Sequence, residues 1–535
     1  MLSPMVTNII RYVERIDETL KYTDGKLFNI SDLFAKKARK SKKRIYISYD
    51  LTWDSSVCIR QLLHDYEYVD DIREIKREDQ WGIVESPSRV YMILTKSSIW
   101  SSMVARMGLD GNYKDTCESM KVDTLEALYK LSLQMGFDKI TLASSAMAVF
   151  KDGIETGKMK IGGKEFDVPQ MTMDEWRGYG VKDIPYLDLI YRPTFRGGET
   201  WGKKGVYKDD VHIDIRSSYP ASACDYRMPY GLPHDERESP DDIELIAPYG
   251  ELHLKPGCIP MIGFSNPKRH REHALSGRMG ALLEDLVFTG NMFFFDFEWE
   301  VIKQMYDWNG DVAQRQFVST VEPIHFQVYF RECYKVKNHS KKETVAYISS
   351  KKLLNALYGK LVLKTMRETI SYEEGKRHTI KREVRDLSYY HLLAGACITA
   401  HSRVKLMKMA MKIGLEHIHY MDTDSLFYDK KAFTDREKML TGCEIGTEMG
   451  QWDLEEEGVE LNVIGPKTYQ TKRKDKVTTK CAGLDTSISN QIPWLDLYVG
   501  MKIPIEKKSR GRDGVLRIKP MSFTVSDKAM KQLEK

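Results

Sequence analysis

Two carboxylates two residues apart, Asp422 and Asp424, lie in Tyr420-Met421-Asp422-Thr423-Asp424-Ser425, between His417-Ile418-His419 and Leu426-Phe427-Tyr428. Ile418 and Tyr420, then Leu426 and Tyr428, read as two short strands, which places the acids at the tip of a β-hairpin. Like charges held this close repel, and a divalent hard cation with oxygen ligands relieves the repulsion most simply; Mg²⁺ with a phosphate co-ligand is the usual occupant. A hydrated Asp-Ser turn has the same composition, so the meaning of the pair depends on the rest of the chain.

A lone acid, Asp214, sits near the end of Val211-His212-Ile213-Asp214-Ile215, a second strand pattern. Lys351, Asn355 and Tyr358 are four and three residues apart within 346–363, which reads as a helix, so the three share one face. Together these are the parts of a nucleotidyl-transfer site. Asp214 and Asp424 would bridge two Mg²⁺ ions and Lys351 would neutralise phosphate charge. Tyr358 would offer a flat ring to the nascent base pair, and Tyr219, five residues after Asp214, would lie beneath the sugar and exclude a 2′-hydroxyl. Plainer readings stand beside these: Lys351 as a solvated cation, Tyr219 and Tyr358 as core rings.

The elements that must position these groups belong to a chain of 535 residues, a length that implies about three or four domains. A hydrophobic content of 42% fits a folded globular protein. No apolar run approaches the roughly 18 residues of a membrane span, so a cytosolic chain is expected. Eight cysteines without a C-x-x-C pair argue for reduced, mostly buried thiols rather than a zinc site or disulfide frame. Net charge is only +5, but basic clusters at 36–44, 331–342, 364–385, 472–480 and 502–512 recur beside the acid-tipped motifs, as a polyanion channel around metal-binding acids would require.

Along the chain, Ile9, Ile10, Val13, Ile16 and Leu20 predict an amphipathic helix within 1–30. Residues 44–49 predict a strand that delivers Asp50-Leu51-Thr52-Trp53-Asp54 to its end, and 81–84 with 89–94 predict a hairpin. Leu125, Leu128, Leu131 and Met135 predict a helix over 122–137, with Asp123 near its start. A Gly- and Arg-containing linker surrounds Phe195-Arg196-Gly197-Gly198, where the backbone could approach phosphate closely.

Four segments, in this order, carry a resemblance: D-x-x-S-x-Y-P (214–220), K-x-x-x-N-x-x-Y-G (351–359), Y-x-D-T-D-S (420–425) and K-T-Y (467–469). They look like motifs A, B, C and K-x-Y of family B DNA polymerases. The chain is most similar to the protein-primed branch of small tailed phages, with Phe195-Arg196-Gly197-Gly198 resembling its Y-x-G-G linker and Lys480-Cys481-Ala482-Gly483 its K-C-A-G segment. The resemblance covers about 45–535. Departures are Phe195 for Tyr and Ala356 for the usual Ser of motif B.

The resemblance implies an α+β multidomain fold: a right-hand polymerase (palm, fingers, thumb) with an N-terminal truncated RNase H-like exonuclease-type domain. The expected divisions are a truncated exonuclease-like domain over 1–185, linker and first palm part over 186–289, a terminal-protein-region insertion over 290–345, fingers and a second, strand-displacing insertion over 346–389, palm with motif C over 390–460, and end of palm and thumb over 461–535. It adds Asp422 to the catalytic acids, assigns Arg196, Gly197, Gly198, Thr423, Lys467, Tyr469 and Lys480 to DNA binding, and assigns nucleotide contact to Lys351, Asn355, Tyr358 and Tyr219. Asp54 and Asp123 would be remnants of exonuclease motifs, with Asp50 for Asn and Ser119 for Tyr, and the chain is expected to begin too late for the first D-x-E. Little proofreading is therefore expected.

The implied activity is DNA-dependent DNA synthesis from a linear phage genome in the cytoplasm of a bacterial host, with two Mg²⁺ ions, for which Mn²⁺ would substitute. The implied partners are template and primer DNA, deoxynucleotides and a terminal protein, with no membrane, the chain acting as a monomer or as a heterodimer with that protein. The aromatic residues of 290–345, with Arg331, Lys335, Lys337, Lys341 and Lys342, are expected to form the protein-binding face. The competing reading is a catalytically silent nucleic-acid-binding relative, which has no need of the metal acids; a nuclease is opposed by the missing D-x-E.

Overall fold

In the computed structural model the described residues are 142–261, 285–341, 345–363, 387–433 and 445–525, less 475, 485 and 511–515, together with the further strands named below. The centre is a seven-stranded antiparallel sheet in the order Thr200–Gly202, Ile418–Asp422, Ser425–Asp429, Gly205–Ile215, Trp452–Gly465, Thr468–Arg473, Lys476–Cys481. The period of two in Val211-His212-Ile213-Asp214-Ile215 explains its central place: Val211, Ile213 and Ile215 turn to a core shared with Trp299, Leu406, Met407, Met421, Leu426 and Trp452, leaving His212 and Asp214 on the other face. A fully buried Ile, Leu or Met side chain contributes about 1.5–3 kcal/mol, so a one-residue slip that turned Asp214 inward would be strongly disfavoured. The helix Leu392–Ile413 lies under this sheet, and the helix Asp296–Met305 packs on that helix and on the second sheet described below.

A second core joins the helices Leu142–Thr156, Ser218–Asp225, Ile324–His339 and Val345–Ala356. Phe150 stacks on Phe326 at 5.0 Å and meets Tyr329 edge-on at 5.6 Å. The continuous helix expected over 346–363 is broken: it ends at Ala356, and a separate turn, Tyr358–Leu361, follows the buried Leu357.

The aromatic residues of 290–345, expected on a protein-binding face, lie in the core instead. Phe293, Phe294, Phe295, Trp299, Phe326, Tyr329, Phe330 and Tyr334 are all buried. The strand Tyr306–Val321 pairs on both sides, with Met228–His234 and with Ile243–Leu254, in a second sheet. The aromatic density is core packing, because rings of this size gain most when removed from water entirely. Where the second insertion was expected, Met366–Ser371 and Thr379–Val384 form a two-stranded hairpin. A ribbon of Lys502–Arg510 and Leu516–Thr524 lies toward the C-terminus.

The helix expected within 1–30 is a strand pair instead. Ile10–Ile16 runs parallel to Lys43–Ser48, with Ile10 opposite Ile45, and antiparallel to Thr19–Tyr22. Three β-branched residues and a tyrosine in seven positions suit a strand, and so short an apolar run does not separate the two periods. The sheet order is Leu27–Asn29, Thr19–Tyr22, Ile10–Ile16, Lys43–Ser48, Val90–Leu94, Trp81–Glu85, Glu74–Glu78, with the hairpin of Trp81–Glu85 and Val90–Leu94 as expected. Upstream of Asp54, the strand Ile10–Ile16 carries Glu14 but no D-x-E. Asp50, Asp54, Ser119, Asp123 and the helix expected over 122–137 lie outside the described residues. No described helix is long and apolar enough to cross a membrane. The cysteines at 224, 333 and 397 are free and buried, as expected, Cys481 is buried, and Cys258 is partly exposed.

Candidate active site

The Asp422–Asp424 turn joins strands Ile418–Asp422 and Ser425–Asp429, whose register pairs Asp422 with Ser425. Thr423, the first residue of the turn, has φ +61°, a left-handed conformation that a β-branched residue adopts only under constraint, at a cost of about 1–3 kcal/mol. The constraint comes from the linker. Thr423 N–H donates to the Glu199 carbonyl at 2.6 Å, and Gly198 lies so close that an added Cβ would be 2.7 Å from the Thr423 side chain. The next residues, Thr200–Gly202, continue as the edge strand beside Asp422.

Within the turn the two acids differ. Asp422 is satisfied by protein: Oδ1 accepts from Thr423 Oγ1 at 2.9 Å and Thr200 Oγ1 at 3.0 Å, and is ion-paired with Lys467. Asp424 is held by backbone, its carbonyl accepting Ile215 N–H at 2.7 Å. That bond ties the turn to the strand bearing Asp214. Burial, then the charge of Asp422, pushes the Asp424 carboxyl up to about 6. Burial, then Asp424, Glu455 and Asp453, pushes Asp214 up to about 8. These two groups would thus gain most from a nearby cation.

Tyr219 and Tyr358 come together with ring centroids 4.4 Å apart, and the negative charge of Asp424 reaches both phenols. Lys351 is partly exposed and Asn355 exposed on the helix Val345–Ala356. Lys337 is placed otherwise than expected. Burial, then the cations Lys351 and Arg216, lowers its pKa, while Asp214 and Asp453 act in the opposite sense. It therefore lies within reach of the acid site, with its ammonium 4.9 Å from the Tyr334 ring centroid. Arg331, Lys335 and Lys341 are exposed, and Lys342 lies outside the described residues.

On the other side of Asp422, Lys467 has φ +55° and its N–H donates to Tyr420 Oη at 3.0 Å. Tyr469 packs on Tyr420 at 4.5 Å, and its cross-strand partner Lys480 is exposed. Lys467, Tyr469 and Lys480 thus form one margin of the site. In the linker, Gly197 has open space around its Cα, but Arg196 is 9% exposed, ion-paired to Glu298 and stacked on Phe294. Its charge is committed inside the protein rather than turned outward, as the DNA-binding role expected of it would need.

Sequence reasoning passed over Asp453 and Glu455. Asp453 lies opposite Asp214 in the ladder and is ion-paired with Arg216 at 2.6 Å. Their signal was present, since Asp453-Leu454-Glu455 places two acids on one face of a strand. What was missing was the pairing of that strand with the one bearing Asp214.

A family model described as DNA polymerase type B, organellar and viral, matches residues 122–438. The chain is 24% identical over 432 residues to the DNA polymerase of Bacillus phage PZA, spanning 74% of this chain and 69% of that protein. It is 22% identical over 426 residues to the DNA polymerase of Streptococcus phage Cp-1, spanning 75% and 69%. The fold is similar to that of phi29 DNA polymerase complexed with primer-template DNA, with a TM-score of 0.69 at 17% identity over 97% of this chain and 100% of that one. The same polymerase in a ternary complex with primer-template DNA and incoming nucleotide gives 0.69 at 18% identity, over 96% and 100%.

Proposed function

Since the chain belongs to the organellar and viral type B DNA polymerases, and is thus a DNA-directed DNA polymerase, we propose that it extends primers by two-metal nucleotidyl transfer with Asp214 and Asp424 as the metal-holding acids. The observation that carries this reading is the junction of the two acid-bearing strands, where Ile215 N–H meets the Asp424 carbonyl at 2.7 Å and both carboxyls are raised by burial and by neighbouring acids. Hard oxygen donors with unrelieved repulsion fit Mg²⁺, with Mn²⁺ as a substitute. Among the described residues no three acids, histidines or cysteines form a cage of their own, which suits an ion completed by substrate phosphates. When bound, such ions lower the pKa of the primer hydroxyl and neutralise the leaving pyrophosphate.

The protein's own groups supply the rest. Lys351, with Lys337 beside it, neutralises the triphosphate; Tyr358 packs against the nascent pair, with Asn355 nearby on the same segment; Tyr219 lies under the sugar. Asp422, satisfied by Lys467, Thr200 and Thr423, shapes the turn rather than holding metal alone. Lys467, Tyr469, Lys480 and the backbone at Gly197, Gly198 and Thr423 guide the DNA. The motif resemblance and the phage relatives support protein priming, strand displacement and action in a bacterial host cell. The absence of D-x-E from Ile10–Ile16 supports weak proofreading.

The test is primer extension with Asp214→Asn and Asp424→Asn. Losing a metal ligand forfeits several kcal/mol of transition-state stabilisation, so incorporation falls roughly 10³-fold or more, while duplex affinity, set by cationic contacts, stays within about twofold. Unchanged incorporation in either variant would remove the assignment.

A further inference from the structure

Four charged side chains are buried together behind the Asp422–Asp424 turn. Arg196 and Glu199 come from the linker, Glu298 from the helix Asp296–Met305 and Arg403 from the helix Leu392–Ile413, with exposures of 9%, 5%, 2% and 0%. Glu298 is shared by both arginines: Oε1 accepts from Arg403 Nε at 2.7 Å, and Oε2 accepts from Arg196 Nη2. Arg403 in turn donates through Nη1 to the carbonyls of Arg196, at 2.7 Å, and Gly197, at 2.8 Å. Glu199 Oε1 is 3.9 Å from Arg403 Nε.

The cluster acts on the linker, and the linker acts on the turn. Arg403 fixes the carbonyls at 196 and 197, Gly198 abuts Thr423, the Glu199 carbonyl takes Thr423 N–H at 2.6 Å, and Thr200 Oγ1 donates to Asp422 at 3.0 Å. The Arg403 guanidinium can hold two carbonyls only while it is anchored, and Glu298 is the anchor, its Oε1 lying against both Nε and Nη2 of Arg403. Burial opposes ionisation of Glu298 most strongly, yet the combined pull of Arg196 and Arg403 keeps its carboxyl below the usual range. Burial pushes Glu199 up to about 8, so it is the weaker counter-charge.

We propose that Glu298, which lies in none of the recognised motifs, is a positioning residue for the polymerase reaction: its carboxylate orients Arg403, which holds the linker that supports the strained Thr423 and hence Asp422 and Asp424. The proposal rests on the assignment of the motif C acids to the metal site. A neutral side chain at 298 leaves two buried guanidinium groups without their shared anion, and the linker is then displaced by repulsion or by entering water.

The experiment uses the full chain with Glu298→Gln and Glu298→Asp in primer extension, measuring kcat, KM for deoxynucleotide, primer-template Kd and the Mg²⁺ concentration for half-activation. For Glu298→Gln the expected result is a fall in kcat and a rise in the Mg²⁺ midpoint, together on the scale of 10–100-fold seen when a group behind a metal ligand is lost. KM for deoxynucleotide stays within about twofold, because the nucleotide contacts lie elsewhere, whereas primer-template Kd weakens with the displaced linker backbone that guides the DNA. Glu298→Asp keeps the charge and recovers part of both effects. An unchanged Mg²⁺ midpoint in Glu298→Gln overturns the proposal, as does equal loss in both variants accompanied only by a lower Tm. Should Glu298→Gln not fold, Glu298→Asp carries the test, since its shorter reach still shifts the midpoint, and an unshifted midpoint overturns the idea. An Asp424→Asn control run in parallel separates the two readings. Full activity there removes the metal assignment itself, whereas an inactive control with unaffected Glu298 variants removes only the role of Glu298.

Discussion

At the scale of single residues, chemistry is divided by which carboxylates the protein satisfies. Asp422 has Lys467, Thr200 and Thr423 around it, whereas Asp214 and Asp424 carry raised pKa values. Residues of identical type therefore hold different positions in one site, as burial and neighbours dictate. Tyr219, packed at 4.4 Å on Tyr358 and within the field of Asp424, faces this site rather than a remote core. Tyr219→Val is expected to raise ribonucleotide relative to deoxyribonucleotide incorporation by about 1–3 kcal/mol of lost discrimination, roughly 5–150-fold. Competitive incorporation assays check this, and unchanged sugar discrimination would mean that the ring only packs.

At the scale of elements, the linker works as part of the motif C hairpin. Gly197 and Gly198 are adjacent in sequence but unequal in space. A Cβ at 197 meets nothing within 4 Å, whereas one at 198 would approach the Thr423 side chain at 2.7 Å and its Cα at 2.8 Å. Gly197→Ala should leave extension rates within about twofold, whereas Gly198→Ala should lower kcat by tenfold or more, at least about 1.4 kcal/mol. Equal kinetics for the two variants would contradict the close approach. The helix Val345–Ala356 depends on its buried side: Leu354, 1% exposed, anchors the segment that presents Lys351 and Asn355. Leu354→Ala should cost about 2–5 kcal/mol in chemical denaturation, and a loss below 1 kcal/mol would mean that the helix is held by other contacts.

At the scale of the whole molecule, the site couples folding to protons and metal. An acid whose pKa is raised on folding contributes stability that is complete below its unfolded value, about 4, and lost as pH rises through its folded value. For Asp424 that value is about 6 and for Asp214 about 8. The contribution of these two groups to the Tm of the metal-free protein should therefore decline between pH 4 and about 8, and the Asp214→Asn variant should flatten the upper part of the decline. Because an ion must displace the same protons, apparent Mg²⁺ affinity should strengthen between about pH 6 and 8, and added Mg²⁺ should raise Tm more at the upper end. Calorimetry with and without chelator reads both effects. A Mg²⁺ effect independent of pH would show that the raised carboxyls are not its ligands.

Local order alone determined much of this protein. Alternation fixed Asp214 on the polar face of its strand, an acid-tipped turn between two apolar runs fixed the hairpin, and four motifs in sequence fixed the class of chemistry. Tertiary structure decided what composition leaves ambiguous. The run Ile10–Ile16 became a strand because a parallel neighbour at Lys43–Ser48 supplied its hydrogen bonds, which no periodicity announces. The aromatic residues of 290–345 became core because strands and helices distant in sequence enclosed them. Arg196 became an internal ion pair and Lys337 a neighbour of Asp214 for the same reason. A side chain's type states what it can bind, but its partner is set by which elements the fold brings within a few ångströms, and Glu298 and Arg403, 105 residues apart, meet only there.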